Sequence, residues 1–269
     1  MDSPLYVGVS GFMSAAEVRS ALEAFPACGR KLMVGALASS KTLCGVPNKY
    51  PRRYPKREDI AGIFVDDPRA LNLVHVGLDE VHTWPFDIFR EAMKAGGSLC
   101  HGLQINAPWP VDPYWAGALS ARLKGLRHDF PTARIVFQLR PGPEGPWKVA
   151  TRACYVVGSG LAFGADDVLI DASGGTGRSI DAELVTDIVT MIREHAQNIG
   201  YGPAGIGIAG GLCAKTLPAI QRLLVDEGLL SIAAEGRLRD DAEGGGNLDL
   251  AKVLAYLVAA GELLESRAP

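Results

Sequence analysis

Apolar residues fall along the chain in short, nearly unbroken runs, bounded by polar or glycine-bearing stretches. The runs are Leu5–Val9, Leu32–Leu37, Leu71–Val76, Leu99–Ile105, Arg134–Leu139, Asp167–Ile170, Gly205–Ala209 and Leu229–Ala234. Runs of this length and character match strands buried on both faces of a parallel sheet. Between most of them the apolar positions change to a helical period, over residues 14–25, 84–95, 113–126, 148–163, 181–196 and 215–228, and a further helical pattern covers 251–266. Strands that alternate with helices imply right-handed βαβ units. Eight such units in 269 residues predict a closed (β/α)8 barrel, an architecture that takes roughly 250 residues and keeps its active site at the C-terminal ends of the strands. No linker divides the chain, so residues 1–269 are read as one domain.

The connections after the last three strands carry the candidate chemistry. Asp171 falls where the sixth strand ends, and Ser173, Gly174, Gly175, Thr176 and Gly177 follow it ahead of a helical pattern that opens at Asp181. Bare glycine N–H groups at a helix N-terminus can cradle an anion. Gly210 and Gly211 end the seventh strand, and Gly236 follows the eighth. Each turn alone also reads as an ordinary glycine turn, and Asp171 as a solvated carboxylate. Three such turns at neighbouring strand ends instead predict a phosphate site built from loops 6, 7 and 8.

One connection is anomalous. Residues 38–59 are proline-bearing and carry Lys41, Lys49, Arg52, Arg53, Lys56 and Arg57. A loop of this length reads either as a solvated charged segment or as a lid that captures an anionic substrate. The whole chain has a net charge of −3, so no basic excess points to nucleic acid or an anionic membrane. No run approaches the roughly 18 apolar residues of a membrane span, and the N-terminus shows no basic leader with an apolar core. Five cysteines, Cys28, Cys44, Cys100, Cys154 and Cys213, are scattered without a CxxC pair, which fits reduced thiols in a cytoplasmic protein. His75, Asp79 and Asp171 could meet a metal but follow no recognised ligand spacing, and neither metal nor cofactor is expected. The expected partner is a small phosphorylated substrate; homo-oligomerisation stays open.

These motifs resemble phosphoribosylanthranilate isomerase, a (β/α)8 enzyme family of tryptophan biosynthesis. The family's sixth strand runs into Asp and GGTG, as Asp171 and Gly174-Gly175-Thr176-Gly177 do here. Its seventh ends in AGGL, matched by Ala209-Gly210-Gly211-Leu212; Ala234-Glu235-Gly236 and Gly245-Gly246-Asn247 look similar to its eighth loop but are looser. Leu103-Gln104-Ile105 matches half of the fourth-strand signature, which makes Gln104 a substrate-binding candidate. Pro51-Arg52-Arg53-Tyr54 resembles the second loop, where the family holds the substrate carboxylate with an Arg, so the resemblance implies that role for Arg53.

The resemblance implies an Amadori rearrangement, with Asp171 as the general acid that opens the ribose ring. At the first strand the chain departs from the family. Where the family has the Cys that serves as base, this chain has Ser10 in Gly8-Val9-Ser10-Gly11. A hydroxyl is a far weaker base than a thiol unless another base activates it. Three readings follow: an isomerase of a phosphorylated sugar or sugar amine with its base elsewhere, a lyase or epimerase on the same phosphate scaffold, or a phosphosugar-binding protein without chemistry. His75 is the next candidate base, although mid-strand it also reads as a core histidine. Asp79 reads chiefly as a helix N-cap, and His101 falls early in its strand, toward the wrong end. No lysine ends a strand, as a Schiff-base aldolase would need.

Overall fold

The computed structural model describes residues 4–77, 87–106, 113–139, 164–171, 180–199, 205–227, 230–241 and 245–265. Its strands are β1 (Tyr6–Ser10), β2 (Lys31–Ser39), β3 (Ala70–Gly77), β4 (Gly102–Asn106), β5 (Arg134–Leu139), β6 (Asp167–Asp171), β7 (Gly205–Ala209) and β8 (Leu230–Ala234). All neighbours are parallel, and β1 pairs with β8 through Val7 and Ile232, which closes the barrel. The described helices are α1 (Ala15–Ala24), α2 (Ser40–Leu43), α3 (Ile88–Gly96), α4 (Pro113–Asp129), α5 (Ala182–Ile199), α6 (Gln221–Glu227) and α7 (Leu250–Glu265). The expected helix over 148–163 lies outside the described residues.

Local signals set the helix starts. Ser14 and Glu17 form a reciprocal capping box on α1, which satisfies two N-terminal N–H groups that lack an intrahelical partner. The helix after β3 is capped by Asp87, whose side chain accepts from Arg90 N. The position read as its cap, Asp79, lies outside the described residues.

Strand alternation sorts the core into two layers. Tyr6, Met33, Leu71, Leu73, Val136, Leu169, Ala209 and Ala233 pack inside the barrel. Their strand neighbours, among them Val7, Leu32, Val34, Ile135, Val168 and Ile208, face the helices. A slip of one residue would exchange the two sets. The floor of the barrel holds a buried ion pair, with Arg134 Nε 2.6 Å from Asp167 Oδ2 and Arg134 Nη2 2.9 Å from Oδ1.

Two strand boundaries differ from the sequence reading by more than one residue. β4 starts at Gly102, because Leu99–His101 are the approach turn: Asn72 Nδ2 donates to Leu99 O and Asn72 N to His101 Nδ1. That places His101 at the N-terminal end of the barrel, opposite the strand ends that carry the candidate site. β2 runs on to Ser39, whose hydroxyl caps α2, so Ala38 and Ser39 belong to the strand and the basic segment is not structureless. Asn48 Nδ2 also donates to Ser39 Oγ at 2.8 Å, folding the chain back on itself.

Candidate active site at the barrel mouth

The period of two that fills the barrel with apolar side chains turns polar at its upper end. Counting two from Leu73, Val136 and Leu169 reaches His75, Gln138 and Asp171, and counting four from Tyr6 reaches Ser10. These four, with Gln104, are buried and line a cavity of about 810 Å³. Polar groups this deep need partners. Gln104 Nε2 donates to Gln138 Oε1 at 2.8 Å, and Gln138 Nε2 donates to Asp171 Oδ2 at 2.9 Å. The chain of amides therefore fixes the orientation of the carboxylate. Gln104 Oε1 is buried without a partner among the described residues, an acceptor left for a ligand.

His75 stands beside Gln104 in the β3–β4 register, and its Nδ1 lies 3.3 Å from Ser10 Oγ. Gly35 makes room for that pair. It stands beside Ser10 in the β1–β2 register, and a Cβ built there would meet Ser10 Cα at 2.9 Å and Cβ at 3.0 Å, with Oγ closer still.

The mouth is closed on one flank by charge. Arg53 Nη2 lies 2.7 Å from Glu235 Oε1. Arg239, fully buried, donates through Nη2 to the same oxygen at 3.1 Å and through Nη1 to Gly246 O at 2.7 Å. Burial alone would push the Glu235 carboxyl up; the charges of Arg53 and Arg239 oppose it, and the group is held below the usual glutamate range. Arg57 is also engaged, paired with Glu91, so two cations of the basic segment are committed within the fold.

The cavity is also lined by Gly210, Gly211, Cys213, Lys215, Gly236 and Arg237. Gly210 and Gly211 have φ of +99° and +63°, left-handed values that only glycine adopts readily, so the turn after β7 depends on both. Gly236 has open space where a side chain would stand. Burial pushes the Cys213 thiol up, but the Thr216 hydroxyl, the Lys215 and Thr216 N–H groups and Arg237 overcome it and hold the thiol below its ordinary value.

The structure thus brings Ser10, Arg53, Gln104, Asp171, Gly210, Gly211 and Gly236 to one cavity. Gly174, Gly175, Thr176 and Gly177 lie outside the described residues. Sequence reasoning missed Gln138, Cys213, Lys215, Glu235 and Arg239. Gln138 had a signal, as a polar residue two past Val136 in an apolar strand. Lys215 had none, because it sits six residues beyond the end of β7 and reaches the cavity only through the folded turn.

No protein-family model matches the chain, and no curated protein matches it. Among solved structures it is similar to QR15, an aldolase, at 12% identity and TM-score 0.50, covering 92% of this chain and 93% of that one. A protein of Toxoplasma gondii ME49, provisionally described as a deoxyribose-phosphate aldolase, matches at 14% identity and TM-score 0.52, over 96% of this chain and 93% of that one. A Rubisco-like protein from Rhodopseudomonas palustris matches at 10% identity and TM-score 0.52, over 99% of this chain and 65% of that one. At these identities the likeness establishes the (β/α)8 fold.

Proposed function

We propose that this chain is an enzyme that isomerises a phosphorylated sugar or sugar amine at the barrel-mouth cavity. One observation carries the reading: a carboxyl aligned by Gln138 and an imidazole paired with Ser10 line the same cavity, so acid and base candidates face one ligand. Asp171 protonates the ring oxygen of a cyclic aldose or aldosylamine, and the bond from that oxygen to C1 breaks. His75 then removes the C2 proton and returns it to C1, while the C2 hydroxyl gives its proton back to the Asp171 carboxylate, leaving a carbonyl at C2. The imidazole does the work that a hydroxyl cannot, since its ring nitrogen is a far stronger base than a hydroxyl oxygen; Ser10 holds it in orientation. No redox partner is consumed. The phosphate is assigned to the backbone of Gly210, Gly211 and Gly236 with Lys215 and Arg237 alongside, completed by Gly174, Gly175, Thr176 and Gly177 as the sequence pattern expects.

The test is exchange of the C2 hydrogen with deuterated solvent, followed by NMR on ribose 5-phosphate and on N-phenyl phosphoribosylamine. The native chain should exchange it. His75→Asn and Asp171→Asn should each slow exchange by about 10²–10⁴-fold, the usual contribution of a general acid or base. Ligand binding without exchange would refute the isomerase and leave the non-catalytic binding protein. A lyase is favoured by a different observation, the primary amine of Lys215 on the cavity wall, where a Schiff base could form. Borohydride trapping of a phosphorylated aldehyde, lost in Lys215→Met, would select it.

A further inference from the structure

β4 contributes two amides to the cavity, Gln104 and Asn106, which share one face of the strand by its period of two. The polarity of Gln104 is set from two strands away. An ionised carboxylate only accepts, so Gln138 turns its Nε2 to Asp171 Oδ2; its Oε1 then faces Gln104, which answers with Nε2. Gln104 is left presenting a carbonyl oxygen. That atom, in a residue only 2% exposed, has no partner among the described residues. Asn106 Oδ1 is likewise buried and without one. The register neighbours of Asn106 are Gly77 on β3, which has no side chain, and Gln138 on β5, whose carboxamide is already engaged at both ends.

We propose that these two oxygens form an acceptor edge for a pair of neighbouring hydroxyls, so that the site takes a phosphorylated sugar with its chain hydroxyls intact and discriminates against deoxygenated ones. The proposal rests on the phosphosugar reading above and narrows its substrate class. A buried acceptor left without a donor carries its full desolvation penalty. Among the described residues no donor meets either oxygen, so the donors come with the ligand. Both acceptors are uncharged carbonyls, which suit neutral O–H donors; an ammonium group would gain more at a carboxylate. Residues two apart on a strand are separated by about 6.6 Å. Hydroxyls on adjacent carbons, each reaching its own acceptor over about 2.8 Å, match that spacing better than one donor shared by both. Gln104 and Asn106 thus select the substrate, while His75 and Asp171 act on it.

Titration calorimetry with two unreactive five-carbon ligands tests the proposal: D-ribitol 5-phosphate and pentyl phosphate, which share the phosphate and the chain length and differ in the hydroxyls. The native protein should bind ribitol 5-phosphate at least about tenfold more tightly, since a site whose polar groups are left unpaired rejects the ligand that lacks the donors. Asn106→Leu, which keeps the volume and removes the acceptor, should lose most of that preference without weakening pentyl phosphate. Gln104→Met should behave in the same way, and Asn106→Asp, which keeps an acceptor at Oδ1, should retain the preference. Equal affinities in the native protein overturn the proposal even if no variant folds, and so does an undiminished preference in Asn106→Leu. Failure of both phosphates to bind counts against the phosphosugar reading. NMR with cis-1,2-cyclopentanediol and cyclopentanol then repeats the comparison without a phosphate. The diol should shift the Gln104 and Asn106 side-chain amide signals at lower concentration than the mono-alcohol; equal responses overturn the proposal on their own.

Discussion

Gly35→Ala is a small substitution with a calculable effect on the Ser10–His75 pair. A methyl at this position would stand 2.9 Å from Ser10 Cα and 3.0 Å from Ser10 Cβ, with Ser10 Oγ nearer still. Ordinary contacts between such atoms begin near 3.5 Å, so Ser10 must retreat by roughly half an ångström at Cβ and more at Oγ. The register leaves little choice of direction, because β1 is hydrogen-bonded to β2 along its whole length and to β8 on the other side. Overpacking of this kind costs about 1–3 kcal/mol. For a chain of this size that is a fall of about 2–10 °C in Tm. Activity should suffer more. Moving Ser10 Oγ from its 3.3 Å contact with His75 Nδ1 releases the imidazole, and a misplacement near 1 Å costs about 10²-fold. The assay is C2 deuterium exchange alongside thermal unfolding. Exchange within twofold of native, with Tm unchanged, would refute both the packing argument and the role of the Ser10–His75 pair. Ser10→Ala with Gly35→Ala should recover some of the Tm, since the nearest colliding atom is gone, and none of the exchange.

Two further outcomes follow from charged pairs. Arg134→Met should destabilise the barrel by about 3–5 kcal/mol, because it leaves Asp167 buried with no cation, and Arg134→Met with Asp167→Leu should regain much of that loss in urea unfolding. The Glu235 carboxyl is held below its ordinary value by Arg53 and Arg239 against burial, so its contribution is present above the unfolded value of about 4.3 and is lost as pH falls through the lower folded value. The stability gap between the native protein and Glu235→Gln, measured by urea unfolding, should therefore hold from pH 7 to pH 5 and shrink toward zero at more acid pH; a gap that widens on acidification would contradict the pairing.

The barrel was legible in the sequence because its strands are local signals. Runs such as Leu32–Leu37 and Gly205–Ala209 are apolar on successive residues, the composition of a strand covered on both faces. The alternation of such runs with helical patterns left few topologies. Asp171 was legible for a related reason, as a charged residue closing an apolar run just before a glycine turn. Boundaries were less so: Leu99 and Cys100 are as apolar as a strand residue, and what removes them from β4 is a hydrogen bond from Asn72, 27 residues away.

The Ser10–His75 pairing and the charged flank are of another kind. Ser10 and His75 stand 65 positions apart, on strands that are not neighbours, and meet only across the interior of a closed barrel. Arg53 and Glu235 come from the segments after β2 and β8, elements brought near each other by the β1–β8 closure. No periodicity encodes such contacts, because the spacing between the partners is set by barrel circumference and strand register. The sequence by itself determined which side chains point inward, since that follows from alternation along each strand. Which of them touch, which cation is neutralised from within, and what a ligand would find there were decided only when the eight strands closed.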